Sequence, residues 1–314
     1  MSLRAELIAD WGRSASDPAE FFRSPEFLEA EGVTHTLAVH GAAPRLLIPV
    51  IVRPIEGADR LDAISPYGYP GASVVPPVPP EPADVNWSAT GLVSLFVRDR
   101  IGGGACFAGG TERAQVHIAD PRIESGVRKR LREQIRRNER RGWRVGAEPG
   151  PQAEPEDVRA FELAYGETMA RTGASGRYLY DSAYLASLLT SPTAWLLLAG
   201  LEGEEPGAGA IAVASDHHLH YFLGGTRDAA LADSPMKNLF AAMTSLAGEL
   251  GLRLHLGGGV EAGDSLDAFK RGFANAAESF VTHEIVCDGA AYEELSAGRL
   301  AVPEGFFPAY RAPG

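Results

Sequence analysis

The 314-residue sequence predicts a mixed α/β fold made of two domains with similar organisation. The second half alternates amphipathic helices and apolar strand-like runs in the order helix, helix, three strands, helix, strand, helix, strand. The first half follows a looser version of that order, which indicates an internal repeat. Polar residues rich in Gly and Pro, 146–155, separate the halves, so we place the domains at residues 1–148 and 149–314.

The first half contains short helical pieces followed by several strand-like runs. Residues 5–30 are expected to form short helical pieces, beginning with the N-terminal stretch MSLRAELIADWGRS. The apolar runs His35–His40 and Arg45–Arg53 predict a hairpin around an intervening Gly-Ala-Ala-Pro turn. Gly91–Arg98 and Ala114–Ile118 predict further strands.

A basic helix is predicted over residues 122–141, with Val127, Leu131 and Ile135 spaced by four and Gly142 as its stop signal. Residues 128–144 carry nine Arg or Lys and two Glu, a net charge of +7. The whole chain has a net charge of −12, so the remainder amounts to −12 − 7 = −19. The basic helix therefore stands out against an acidic background.

The second half shows clearer helix and strand boundaries. Asp181 is expected to cap a short helix, and Pro235 and Gly251 lie at the start and stop of a long one. The predicted elements are a helix over 156–171, strands at 194–201, 208–214, 218–223 and 252–256, a helix over 264–271, a strand at 279–286 and a short helix at 292–297.

Composition favours a globular protein outside the membrane. Hydrophobic residues are 45% and charged residues 22% of the chain, and no apolar run reaches the roughly 18 residues that a membrane helix needs. The N-terminus shows no secretory signal, and Cys106 and Cys287 stand alone in unlike contexts. We therefore expect a cytoplasmic protein without membrane insertion, and the acidic balance argues against DNA as a partner.

Three histidines lie close together at a predicted hairpin turn, His217, His218 and His220. No Cys and no clear set of carboxylates accompanies them, so the spacing does not favour a metal site. We expect these histidines to be surface residues and expect no bound metal.

The most informative segment is LHLGGGVEAGDSLDAFKRGF, residues 254–273. A strand ends at His255-Leu256, and three glycines follow, which allow a ligand or another backbone to come close. The next helix has Asp264 at its start and carries Lys270 and Arg271, cations suited to anionic or carbonyl oxygens. The alternative is a Gly-rich turn with surface cations, and the physical argument alone leaves both open.

This segment resembles the C-terminal signature of FemAB-like and related GNAT-fold transferases. That group includes peptidyltransferases that extend peptidoglycan cross-bridges and enzymes that use aminoacyl-tRNA to build peptide antibiotics. Further stretches resemble the family in the same order: SPYGYPG at 65–71, RLREQIRRNERRGWRV at 130–145, and YGETMARTGASGRYLYDSAYLASL at 165–188. The resemblance spans residues 60 to 280.

The resemblance implies two tandem GNAT-like domains, with the first holding an acceptor amine and the second holding the acyl donor. By carry-over, Lys270 would contact the reacting carbonyl or the donor's terminal adenosine phosphate, and Phe269 would line that channel. His255, Gly258, Asp264 and Arg271 join them as donor-binding candidates. The sequence shows no clear general base, and a dedicated base is unnecessary if the amine binds in its neutral form; Asp264 and the acceptor itself are candidates for that role.

Tyrosines in two segments are candidate substrate contacts. Tyr67 and Tyr69 flank Gly68 in a loop of the first domain, and Tyr178 and Tyr180 alternate along an extended stretch of the second. Their hydroxyls suit a polar substrate, and the alternative role is core packing.

On the basic helix, Arg132, Arg136 and Arg140 recur every four residues. Given the resemblance, this stripe would guide a tRNA acceptor stem through phosphate contacts. The alternative is a solvated helix face with internal Glu–Arg pairs.

The donor is inferred from the junction 224–238, GGTRDAALADSPMKN, which lacks the [RQ]-x-x-G-x-[GA] loop that cradles the pyrophosphate of CoA. This absence favours aminoacyl-tRNA and an amide-forming aminoacyltransferase that needs no cofactor. The acceptor is a small-molecule or peptide amine, either a natural-product intermediate or a cell-wall precursor. An acyl-CoA N-acyltransferase and a non-catalytic GNAT-like binding module remain as alternatives.

Overall fold

The computed structural model describes residues 3–41, 44–174, 176–259, 263–297, 299, 302–303 and 305–312. Two residues of the expected hairpin turn, Ala42 and Ala43, and the signature residues Val260, Glu261 and Ala262 lie outside that description. Contacts divide the chain into a first unit, Met1–Pro18, Phe22–Arg113 and Ser279–Gly314, and a second unit, Ala19–Phe21 and Ala114–Glu278.

This division differs from the expected boundary between residues 148 and 149, because the chain passes from one unit to the other more than once. The basic helix belongs to the second unit and not to the first. The fully buried Asn138 of that helix donates to the Asn238 side chain at 2.8 Å, which fixes the helix to the second unit's own core.

The first unit is a mixed sheet with strands in the order β5-β1-β2-β3-β4-β6-β13. The predicted hairpin is confirmed, since β2 and β3 pair antiparallel. Its strands are β1 Leu3–Ile8, β2 His35–His40, β3 Pro44–Pro54, β4 Leu61–Ile64, β5 Val85–Asn86, β6 Leu92–Arg98 and β13 Ala276–Val286, and its helices are α1 Pro25–Ala30 and α7 Gly289–Ser296.

The expectation of helical pieces at the N-terminus is wrong for its first residues, because Leu3–Ile8 is a strand paired antiparallel with β2. Apolar residues there alternate with polar ones, the period of two that a sheet with one buried face requires. Ala5 is fully buried in the apolar core of the first unit, together with Leu37 and Ile48.

The second unit is a sheet with strands in the order β7-β12-β11-β10-β9-β8. Its strands are β7 Thr111–Ala119, β8 Trp143–Pro149, β9 Ala194–Leu201, β10 Ala208–Ser215, β11 His218–Thr226 and β12 Arg253–Gly257. Its helices are α2 Lys129–Arg140, α3 Pro155–Thr172, α4 Ser182–Leu189, α5 Met236–Glu249 and α6 Ser265–Arg271. From α3 onward the order of elements is the one that the sequence predicts.

Helix caps explain several of these boundaries. The Asp181 carboxylate accepts the Tyr184 N–H at 2.8 Å and starts α4 as expected. The basic helix begins later than predicted, at Lys129, because the Arg128 N–H donates to the Gly272 carbonyl at 3.0 Å and holds the preceding residues extended.

One side of the second sheet packs against α5. Leu239, Phe240 and Met243 of this helix are buried against Leu219 of β11 and Leu254 of β12. Small residues on β10, such as Ala208, Ala210 and Ala212, let the helix approach the sheet closely. This core fixes the positions of β11 and β12, the strands that frame the candidate site.

Of the helices in the described ranges, none combines the length and the apolar character that crossing a membrane requires.

Candidate active site

Strands β11 and β12 form the parallel pair of the second sheet and separate partway along their length. They pair through three positions and stop at His220 and His255, although β11 continues to Thr226 and β12 to Gly257. The register between β10 and β11 also shifts at this point, which leaves Phe222 as the extra residue of a bulge. Bulges and strand ends of this kind are frequent at functional sites because they turn side chains and backbone groups away from the ladder.

Lys270 lies where the two strands separate. It projects from α6, is only 8% exposed, and its Nζ donates to the Gly258 carbonyl at 2.8 Å. The same Nζ lies 5.5 Å from the centre of the Tyr221 ring on β11. An ammonium has three N–H donors, so a cation held by one carbonyl and one ring face remains suited to a developing oxyanion.

Gly257 allows Lys270 to come this close. Its φ is +74°, a conformation that costs other residues about 1–2 kcal/mol. A Cβ at this position would lie 3.2 Å from the Lys270 Nζ. The glycine run that the sequence singled out therefore serves the approach of a protein cation to the backbone.

Burial lowers the pKa of Lys270 from its ordinary value to about 8, and the carboxylates of Asp264 and Asp267 partly oppose that effect. Below that pH the ammonium keeps its proton. The site thus holds an ammonium that burial has made less stable than an ammonium in water. Such a cation is suited to binding the negative charge that develops during a reaction.

The carboxylates near Lys270 have structural tasks. Asp264 caps α6 by accepting the Asp267 N–H at 2.7 Å. Asp267 lies 2.7 Å from Nε2 of His117 on β7 and 3.9 Å from the exposed Arg271. Asp264, one of the expected base candidates, is therefore engaged at the start of the helix.

Phe269 is placed in the core of the second unit. Its ring contacts Phe240 at 5.2 Å and Phe273 at 5.4 Å between centroids. It is partly exposed, and its main contacts are with aromatic side chains of α5 and of the segment that follows α6. Phe269 thus anchors α6, and with it Lys270, to the sheet.

The expectation that the three histidines are surface residues is wrong for two of them. His217 is exposed, whereas His218 and His220 are buried beside His255, with exposures of 0%, 1% and 1% respectively. The reason is register: His218 and His220 are two residues apart on β11, and His220 pairs directly with His255. Leu219 between them is buried as well, on the opposite face against α5, so both faces of β11 are covered at this point.

The rings of the buried histidines lie against one another in a group that we call the histidine cluster: His218, His220 and His255. Nδ1 of His220 lies 3.2 Å from Nδ1 of His255, and Nε2 of His220 lies 3.1 Å from the Ser215 carbonyl. Since a carbonyl only accepts, His220 donates through Nε2, and His255 donates to Nδ1 of His220. Burial lowers the pKa of all three, that of His220 to about 3, so the cluster is uncharged at neutral pH.

The first-unit tyrosines lie in a closely packed loop. A Cβ on Gly68, whose φ is +82°, would lie 2.4 Å from the Phe22 ring, so this position requires glycine. The Tyr67 N–H donates to Glu31 at 2.9 Å, and burial raises the pKa of Tyr69. Tyr69 contacts the Phe22 and Phe280 rings at 5.6 and 5.3 Å.

The second-unit tyrosines form a stack. Tyr180 lies over Tyr184 with ring centroids 4.3 Å apart, and Tyr165 donates its hydroxyl to the Tyr178 carbonyl at 2.7 Å. Tyr178 and Tyr180 are both partly exposed, so packing and substrate contact are compatible at these positions.

The predicted arginine stripe lies on the solvent side of α2. Arg132, Arg136 and Arg140 are all exposed, and Arg140 and Arg144 line a groove of about 580 Å³ between α2, β8 and α5.

Sequence reasoning missed Tyr221, Asp267 and His117, the residues around Lys270. The alternation of histidines with the apolar or aromatic residues Leu219 and Tyr221 is the signal that could have drawn attention to β11.

Comparisons with known proteins identify the kind of domain that contains these residues. Residues 125–271 match the family described as an acetyltransferase (GNAT) domain. No curated protein sequence matches the chain. A crystal structure of FemX superposes with a TM-score of 0.64 at 11% identity, covering 92% of this chain and 99% of that one.

Two further solved structures share the fold. L-PGS from Bacillus licheniformis has a TM-score of 0.54 at 14% identity, over 81% of this chain and 84% of that one. The C-terminal domain of a putative lysylphosphatidylglycerol synthetase from Agrobacterium fabrum has a TM-score of 0.57 at 13% identity, over 90% and 93%. At such identities the likeness concerns the fold.

The matched domain assigns residues 125–271 to the acyltransferase class of enzymes. More narrowly, the chain has the FemAB-like tandem GNAT fold that its signature segments predicted.

Proposed function

We propose that this acyltransferase forms an amide bond by moving an aminoacyl group from aminoacyl-tRNA to the amine of a small-molecule or peptide acceptor. The observation that carries the proposal is the buried Lys270 ammonium, held at the separation of β11 and β12 by the Gly258 carbonyl and the Tyr221 ring. In such a reaction the amine nitrogen attacks the ester carbonyl, and negative charge develops on the carbonyl oxygen. A preorganised donor at that oxygen contributes about 3–4 kcal/mol of barrier lowering.

The preference for a tRNA donor rests on the start of α5. The Lys237 N–H donates to the Ser234 carbonyl at 3.1 Å, and the Asn238 and Leu239 N–H groups donate to the Pro235 carbonyl. These amides are the ones that an anion at the helix start would need. Their engagement within the turn fits the missing glycine loop and disfavours a CoA pyrophosphate cradled by the backbone.

The exposed arginines of α2 support the same donor. Arg132, Arg136 and Arg140 are exposed side chains on this helix, and the rest of the protein is acidic. The phosphates of a tRNA would therefore bind this helix in preference to other surfaces of the protein. Tyr178 and Tyr180 in the second unit and Tyr67 and Tyr69 in the first remain candidate contacts for donor and acceptor respectively.

Acyl-CoA is the second candidate donor, because the matched family is described as an acetyltransferase. Its product would also be an amide, with CoA in place of the ribose hydroxyl as leaving group. The two candidates therefore differ in the donor and not in the bond formed.

The deciding experiment incubates the purified protein with radiolabelled aminoacyl-tRNAs and a pool of amine acceptors, and separately with radiolabelled acyl-CoA. We expect a labelled amide product from the aminoacyl-tRNA reaction, and we expect RNase pretreatment to abolish it. Product formed from acyl-CoA and insensitive to RNase would reject the proposed donor. The absence of product from either donor across the acceptor pool would contradict the proposal as a whole.

A further inference from the structure

Helix α2 carries a second row of cations on the side opposite the predicted stripe. At 3.6 residues per turn, Arg130, Gln134, Arg137 and Arg141 fall within about 60° of one another. Arg136, in the middle of the predicted stripe, lies on the far side of the helix from this row. Side-chain contacts show which way the second row faces.

The second row faces the segment that leads into α5. The Gln134 side chain donates to the Asp233 carbonyl at 3.3 Å, and Arg141 pairs with the Asp233 carboxylate. Asn138, at the edge of the row, donates to the same carbonyl at 2.9 Å. Arg130 and Arg137 are exposed members of the same row, one on each side of Gln134 along the helix.

Lys237, in the first turn of α5, completes a group of three cations. It is half-buried, and burial together with the charges of Arg130 and Arg137 lowers its pKa. The nearby acid, Asp233, already binds Arg141 and accepts the Trp143 indole N–H at 3.1 Å. Within the described ranges, no carboxylate lies at ion-pair distance from Arg130, Arg137 or Lys237.

We propose that Arg130, Arg137 and Lys237 form a binding site between α2 and α5 for phosphate groups of the acyl donor. Three like charges brought together by helix docking repel one another, and an anion with several oxygens relieves that repulsion while accepting from each side chain. This site is built from side chains, since the amides of Lys237, Asn238 and Leu239 bond within the turn.

The site deepens the proposed function and rests on it for the identity of the donor. A phosphodiester near the reactive end of a tRNA and the pyrophosphate of CoA offer the same chemistry to these cations. The site lies on the same unit as Lys270, the residue that would act on the acyl group.

The test measures equilibrium binding of two probes, a short fluorescent single-stranded RNA and CoA, to the full-length protein over a range of salt concentrations. The variant is Arg130→Gln/Arg137→Gln/Lys237→Gln. The control is Arg13→Gln/Arg60→Gln/Arg159→Gln, which removes the same charge from exposed positions outside α2 and α5. A Lys237→Arg variant keeps the charge at the half-buried position.

We expect the triple variant to bind the RNA more weakly and the slope of log Kd against log salt to fall by roughly 2, at about 0.7 per phosphate contact. The control and Lys237→Arg should keep the wild-type slope. The same loss seen with CoA alone would support the site and identify CoA as the source of the phosphate. Equal losses in variant and control, or a wild-type protein that binds neither probe, would overturn the inference.

The outcome is separable from that of the proposed function. A protein whose phosphate binding depends on the three cations, but which transfers nothing from aminoacyl-tRNA, would retain the site and lose the proposed reaction. If the triple variant transfers the aminoacyl group from aminoacyl-tRNA with an unchanged KM, the proposed reaction is retained and the phosphate site is rejected.

Discussion

At the scale of single residues, the environment of Lys270 departs most from that of an ordinary surface lysine. It is buried at a strand end, its pKa is lowered to about 8, and Gly257 leaves room for it. Structural lysines are rarely buried in this way, because removing an ammonium from water is costly unless it has a partner. Two predictions follow from the position of this charge.

Replacing Lys270 with methionine should remove the oxyanion contact and keep most of the packing. We expect kcat for amide formation to fall by about 10²–10³, the typical loss for one oxyanion donor. Lys129→Met, at an exposed lysine of α2, is the matched control and should keep full turnover. Full turnover of the Lys270→Met variant would contradict the assigned role.

The pH dependence of the reaction should show the lowered pKa. Since Lys270 is charged below about pH 8 and neutral above it, kcat should decline as the pH rises through about 8. A guanidinium stays protonated throughout this range, so any residual activity of Lys270→Arg should lack that alkaline decline. A pH profile that is the same for wild type and Lys270→Arg would exclude Lys270 as its source.

At the scale of elements, the pairing of β11 with β12 matters both for the candidate site and for the stability of the fold. The histidine cluster lies at the last paired position, and its uncharged state is a condition for burying three imidazoles together. Around it, Glu278 lies 3.5 Å from His218 and 2.5 Å from Arg253, and the Lys270 ammonium adds positive charge near His255.

Acid should therefore destabilise the protein through this cluster. The folded pKa of His220 is about 3 and the ordinary value is 6.5, so between these values the unfolded state binds the extra proton. The free energy of unfolding then falls as the pH falls below about 6.5, by up to about 1.4 kcal/mol per pH unit for one histidine. Denaturant titrations of His220→Gln should show a shallower slope between pH 4 and 6.

The exposed neighbour His217 supplies the control. A His217→Gln variant should keep the wild-type dependence of unfolding free energy on pH, because its side chain is exposed in the folded protein. If His220→Gln and wild type lose stability in parallel on acidification, the cluster does not set the acid limit.

At the scale of the whole molecule, the distribution of charge is the dominant feature. A helix segment with a net charge of +7 stands on a chain whose remainder carries −19. Such a contrast directs a polyanion to one surface while the rest of the protein repels it, and salt weakens both effects.

Reversing Arg136 and Arg140 to glutamate should raise KM for the charged tRNA, with the largest effect at low salt. The expected result leaves kcat little changed, because these side chains are exposed whereas Lys270 is buried. Arg13→Glu/Arg60→Glu changes the net charge equally and should have a smaller effect on KM. Unchanged kinetics of the α2 variant at low salt would exclude the stripe from donor binding.

The sequence by itself determined the order of elements in the second unit and the segment that holds the site. Periodicity and caps are local properties, so Asp181, Gly142 and the run from α3 to α6 could be assigned from neighbouring residues alone. The family signature likewise singled out Lys270, since its motif is contiguous in the chain. The N-terminal strand was missed because a short amphipathic stretch is ambiguous until its pairing partner is known.

Only the tertiary structure decided what surrounds Lys270 and which histidines are buried. Tyr221, His117 and Asp267 come from different elements, and their meeting depends on where β11 and β12 separate. His218 and His220 are buried because β11 lies inside the sheet with both faces covered, as the burial of Leu219 between them shows. The division of the chain also depended on docking, since Asn138 fixes the basic helix to α5 through contacts 100 residues apart in sequence. Local pattern fixes elements, whereas long-range pairing decides which side chains meet.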